Sequence, residues 1–239
     1  MIDYLIVIYK NYELLNLQVR NFKKLFNKED YNLIIVDNTP NGEKVQIQID
    51  PIIDKFILLD SFPTFDGISH GNAIDEGLKY CNSEIVSIMD SDYFILNPYI
   101  HSYIYSKFQE GYLAVGTEYN DGKDTNYWVN LCPDNFKNIP CCFGSYYKRE
   151  LASADSWIVT PEEVDQNRST GFVEVGCKIR KYILDNTLKT FSWKTTANQY
   201  GNCYFNNEFD QVMGFHYVAG SHRRWDNNSK FELEKLIGI

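Results

Sequence analysis

Apolar runs of two kinds alternate along the first hundred residues. Short continuous runs at 4–9, 33–36, 56–59 and 84–89 read as strands buried on both faces. Between them the spacing turns helical. Leu15, Val19, Phe22 and Phe26 follow Asn11, and Ala73, Ile74, Gly77, Leu78 and Cys81 follow a loop expected over 60–69. Asp37-Asn38-Thr39-Pro40-Asn41-Gly42 is a strong turn signal. Val45, Ile47 and Ile49 alternate with polar residues and predict one more short strand. Strand–helix–strand repetition predicts an α/β fold with a mostly parallel, Rossmann-like central sheet and right-handed crossovers. In such sheets ligands bind off the carboxyl ends of the strands. Tyr9, Asp37, Asn38, Asp60 and Asp90-Ser91-Asp92 all fall just after a strand end.

The second half is less regular. Pro98 leads into a Tyr-rich helix, and strands are expected at 113–116, 141–147, 188–193 and 213–218. Residues 118–139 are polar and read as a long loop. Val175, Ile179, Tyr182 and Ile183 mark a helix starting near 171–174, and 231–237 a terminal helix. No repeat, linker or low-complexity block divides the chain, so one domain over 1–239 is expected.

The pair Asp90 and Asp92 carries the clearest chemistry. Alternate side chains of a strand point the same way, so both carboxylates can reach one pole of a cation. Buried without one, they would be costly. Hard oxygen donors suit Mg²⁺ or Mn²⁺ bridging to a diphosphate. The plain alternative is a solvated Asp-Ser-Asp turn. Composition narrows the rest. Of 239 residues, 44% are hydrophobic, enough for a sizeable core, and 18 Tyr and 15 Phe offer rings for stacking on flat or sugar-like ligands. A net charge of −9, with Arg223-Arg224 the one basic pair that stands out, disfavours nucleic-acid or anionic-membrane binding. The six cysteines form no C-x-x-C pair and read as reduced thiols. The first ten residues carry neither a basic segment nor a small-residue cleavage site, and no run is long enough to span a bilayer. A soluble cytoplasmic protein without an integral membrane segment is expected.

Several elements in order resemble the GT-A fold glycosyltransferases, especially the family-2-like group. They are the turn Tyr9-Lys10-Asn11-Tyr12 after strand one, Asp37-Asn38-Thr39, and Ser69-His70-Gly71-Asn72 leading into the Asp90-Ser91-Asp92 strand. Phe143-Gly144-Ser145-Tyr146-Tyr147-Lys148-Arg149, Thr170-Gly171-Phe172-Val173-Glu174 and Phe215-His216-Tyr217 follow. Their order is more specific than any one of them. The resemblance implies a nucleotide-binding half over 1–97 and a smaller, irregular acceptor-side half over 98–239. It implies a metal-dependent enzyme that moves a sugar from a nucleotide-sugar donor to a glycan or other hydroxyl acceptor, with inversion.

Under that reading Asp92 ligates Mn²⁺ or Mg²⁺ directly, and Asp90 contacts the ribose or the metal. His216 completes the metal shell or contacts the diphosphate, with His222 as rival, or is simply a core histidine. Tyr9, Asp37, Asn38, Ser91 and Gly144 line the donor. Arg223 or Arg224 pairs with phosphate, or is simply solvated. His70 stands at a helix start where backbone N–H groups meet an anion, or Ser69 caps that helix instead. Glu174 opens the acceptor-side helix as general base, with Glu162, Glu163 and Asp165 as rivals. Val175 follows it where the family has an acidic residue. Trp128, Trp157 and Trp193 are either sugar platforms or core. A sugar-phosphate nucleotidyltransferase would need a Gly-rich loop after strand one, which Tyr9-Lys10-Asn11-Tyr12 lacks. A non-catalytic nucleotide-sugar or glycan-binding module of the same fold is the other alternative.

Overall fold

A computed structural model describes residues 1–44, 46–59, 66–117, 139–140, 144–159, 175–197, 203–217 and 227–238. The strands are β1 (Ile2–Ile8), β2 (Tyr31–Asp37), β3 (Lys55–Leu58), β4 (Ile85–Asp90), β5 (Tyr93–Ile95), β6 (Ala114–Thr117), β7 (Ser145–Lys148), β8 (Thr190–Ala197), β9 (Cys203–Asn206) and β10 (Val212–His216). The helices are α1 (Tyr12–Leu25), α2 (Asp66–Leu78), α3 (Ile100–Gln109), α4 (Arg149–Ala152), α5 (Cys177–Asp185) and α6 (Asn227–Ile237). The ten strands among the described residues join one sheet in the order β3-β2-β1-β4-β7-β6-β8-β9-β10-β5. Strands β1 to β4 pair in parallel, as the repetition predicts. Beyond β4 the sheet is mixed, with β7 antiparallel to β4 and β6, and β9 and β10 forming an antiparallel ribbon with β5.

The alternation along β1 places the two cores. Ile2, Tyr4, Ile6 and Ile8 face Leu15, Val19 and Phe22 of α1 and Ile100, Ile104 and Phe108 of α3. Leu5 and Val7 face Ala73 and Ile74 of α2 and Ile179 and Ile183 of α5. Each such side chain, fully buried, stabilises the fold by about 1.5–3 kcal/mol before the ordering cost is met. Helix α1 carries Glu13 in its first turn and Lys23 and Lys24 in its last, the signs its dipole favours. Leu14 and Leu17 continue its apolar surface onto Phe94, Phe215, Leu233 and Ile237, and so pack α6 and the β10–β5 ribbon against it. Lys24 donates to the Ile237 carbonyl at 2.7 Å and fastens the end of α6.

Three expectations are corrected. Ile47 and Ile49 belong to no strand. Ile47 packs partly buried against the core and Ile49 is exposed, so the alternation has no pairing partner. Helix α2 begins at Asp66, inside the stretch read as loop, which puts His70 in its second turn rather than at its start. Helix α5 begins at Cys177, after a left-handed Gly176, so Val175 precedes the helix rather than marking its face. Strands β5 and β9 are additions. The polar stretch at 118–138 lies outside the described residues.

Candidate functional site

Strand β4 ends at Asp90 and β5 starts at Tyr93, so Ser91 and Asp92 alone connect them. Yet β4 and β5 stand at opposite ends of the run β4-β7-β6-β8-β9-β10-β5. Three Cα steps span at most about 11 Å, so that run must curl until its ends meet. The seam it makes is where the chemistry collects. His216 is the last residue of β10 and pairs across the ribbon with Tyr93. The Tyr217 N–H donates to the Asp92 carbonyl at 2.9 Å.

This brings Asp90, Asp92 and His216 together, with one ligand atom from each lying within 4.8 Å of the others. His216 Nε2 is 3.0 Å from Asp92 Oδ1, and Asp92 is 3% exposed. From α2, His70 points the same way, its Nε2 3.5 Å from Asp90 Oδ1. With His70 inside the helix, its side chain rather than its N–H faces the acidic pair. Two hard carboxylates and an imidazole are a donor set for Mn²⁺ or Mg²⁺. Asp90, Asp92 and His216 are the residues that would hold such an ion, each offering one ligand atom.

The other candidates sort by position. Asp37, at the carboxyl end of β2, is buried. Its Oδ2 accepts from the Tyr12 hydroxyl at 2.9 Å and its Oδ1 from the Thr39 N–H at 3.0 Å. Asn38 is buried and donates its N–H to the Ile8 carbonyl at 2.9 Å. Tyr9 is exposed just past β1, with the Lys10 ammonium 5.1 Å from its ring centroid. Ser91 is buried in the connection. Gly144 lies against Tyr93, where a Cβ would overlap the ring, and Gly214 meets the same ring from β10. Tyr93 is fully buried, so both glycines make room for the residue that follows Asp92. Trp157 and Trp193 are core residues, not platforms. Glu174, Arg223, Arg224, His222, Glu162, Glu163, Asp165 and Trp128 lie outside the described residues. Sequence reasoning missed Gln18, a buried amide of α1 beside Asp90. Its signal was a polar residue on the stripe set by Leu15 and Phe22.

No protein-family model matches the chain, and no curated protein matches it. Solved structures do. The galactosyltransferase LgtC, solved with donor and acceptor sugar analogs, matches 99% of this chain and 95% of its own at TM-score 0.62 and 10% identity. The mannosyltransferase PcManGT from Pyrobaculum calidifontis, solved with GDP-Man and Mn²⁺, matches 73% of this chain at TM-score 0.48 and 13% identity. The chain spans 53% of that protein's length. Glucosyl-3-phosphoglycerate synthase from Mycobacterium tuberculosis, with Mn²⁺ and UDP-glucose, matches 72% of this chain and 66% of its own at TM-score 0.43 and 17% identity. Among the described residues no helix is long and apolar enough to cross a membrane. By its likeness to LgtC over almost its whole length, the chain has the GT-A glycosyltransferase fold.

Proposed function

We propose that the chain is a metal-dependent glycosyltransferase that moves a sugar from a nucleotide-sugar donor to a hydroxyl acceptor. The observation that carries this reading is the convergence of Asp90, Asp92 and His216 at the seam beyond β4, within 4.8 Å of one another. Sharing its fold with a galactosyltransferase solved with donor and acceptor analogs supports it. Asp92 and His216 would hold Mn²⁺ or Mg²⁺ directly, with Asp90 as a third ligand or a ribose contact. A bound ion would act as a Lewis acid toward the charge that develops on the departing nucleotide phosphate.

The chain's own residues do the rest. His70 braces the Asp90 carboxylate. Exposed Tyr9 offers its face to a nucleobase off the end of β1. Asp37, already fixed by Tyr12 and Thr39, has lone pairs left for a ribose or base N–H. Arg223 for the phosphates and Glu174 as the base that takes the acceptor proton rest on the family resemblance, as does inversion at the anomeric carbon.

The test is a panel of nucleotide sugars with Mn²⁺, read as nucleotide released with and without candidate acceptors. We expect release with one donor class and its loss on chelation. Proton NMR of the product's anomeric centre reads the stereochemical course. Binding without turnover for every donor and acceptor would instead identify a binding module. A folded chain that binds no nucleotide sugar would overturn both.

A further inference from the structure

The Gln18 side chain, nearly fully buried on α1, spends both of its amide N–H groups on the metal-site segment. Nε2 donates to the Asp90 carbonyl at 2.9 Å and to the Tyr93 carbonyl at 2.8 Å. These carbonyls stand on either side of the Ser91-Asp92 connection, so one amide spans the point where the chain passes from β4 to β5. The Asp92 carbonyl between them is held from the other side by the Tyr217 N–H. Two carbonyl acceptors fix which amide atom is nitrogen. The Oε1 atom is then left buried without a hydrogen-bond partner. A buried acceptor without a partner is destabilising. Gln18 is therefore a poor choice for stability alone, and its two donors are what the position retains.

We propose that Gln18 is a positioning residue for the metal site. By spanning the Asp90 and Tyr93 carbonyls it sets the bend that carries the Asp90 and Asp92 carboxylates to one ion. The inference rests on the metal reading of Asp90, Asp92 and His216. Asn21, one helical turn further along α1, supplies the contrast. It is equally buried and donates to the Ile95 carbonyl at 2.8 Å, at the far end of β5. Both amides close the outer edge of the same short strand, but only Gln18 touches the connection.

The experiment titrates Mn²⁺ alone into the full chain and follows the loss of the free-ion electron paramagnetic resonance signal. Gln18→Met keeps the side chain's length and removes both donors, and Gln18→Glu keeps its shape but cannot donate when ionised. Each is checked for native near-ultraviolet circular dichroism. Loss of a group that orients a metal ligand typically weakens binding by about 10–100-fold. We expect the Mn²⁺ dissociation constant to rise about tenfold or more in Gln18→Met, with Asn21→Leu staying within about twofold of wild type. Wild-type affinity in a folded Gln18 variant, or equal weakening in Asn21→Leu, overturns the positioning role. If Gln18→Glu unfolds, the less disruptive Gln18→Met decides. A wild-type chain that binds no Mn²⁺ removes the metal reading itself, and this inference with it.

Discussion

Asp92 and His216 are a close pair at the seam. The carboxylate is almost fully buried, and its Oδ1 lies 3.0 Å from the imidazole Nε2. Asp92→Asn keeps the volume and removes the charge. We expect transfer to fall by roughly 100-fold or more, since several kcal/mol of charge stabilisation would go, with unfolding little changed. Full activity in that variant would show that the metal role was misplaced. Gly144 poses a different question. It resembles a donor-sugar glycine, yet a Cβ there would strike the ring of Tyr93. Overpacking of this kind costs about 1–3 kcal/mol. Gly144→Ala should therefore lower the urea midpoint by that equivalent. An unchanged midpoint with weaker donor binding would return Gly144 to the sugar pocket.

At the scale of elements, α3 and β1 meet at a titratable contact. His101 stacks on Phe26 with centroids 4.2 Å apart, and its Nε2 lies 2.9 Å from the Tyr4 hydroxyl. Burial pushes its pKa down to about 4 from an ordinary 6.5. Between these values the unfolded chain takes up a proton that the folded chain refuses. Stability is then fully present above about pH 6.5 and is lost as pH falls towards 4, by on the order of 2–3 kcal/mol. Unfolding midpoints taken from pH 7 to pH 4 should show this slope, and His101→Phe should flatten it. A slope unchanged in the variant would place the acid sensitivity elsewhere. Elements of this kind were readable in the chain wherever packing imposes a period. The four parallel strands, α1 and the body of α2 follow from runs and spacing that both core faces require. Tyr93, Phe94 and Ile95 did not read as a strand, because three residues are too few to carry a period. The alternation of Ile47 and Ile49 failed for the converse reason, a period with no neighbouring strand to pair. Of the site, Asp90 and Asp92 could be read from their own spacing. The partnership with His216 depends on a curl of the sheet that no local pattern encodes, and resemblance supplied it.

At the scale of the whole molecule, that curl makes one site out of distant parts of the chain. Asp92 and His216 are separated by 124 positions, and β5 reaches β10 only because the strands between them wrap round. An ion held by both would tie the parallel half of the sheet to the antiparallel ribbon. Binding to the folded state alone stabilises it by about 2.7 kcal/mol at a hundred times the dissociation constant. For a chain of this size that corresponds to a rise of roughly 5–10 °C in Tm. The distribution of the effect is the sharper measurement. On adding Mn²⁺, hydrogen exchange should slow together at residues 90–95 and 212–217, because the two stretches share the ribbon and the ligands. Slowing confined to 90–95 would mean that the ion sits on the carboxylates without His216. No slowing in either stretch, in a chain whose Tm nevertheless rises, would place the ion at another site and detach the seam from catalysis.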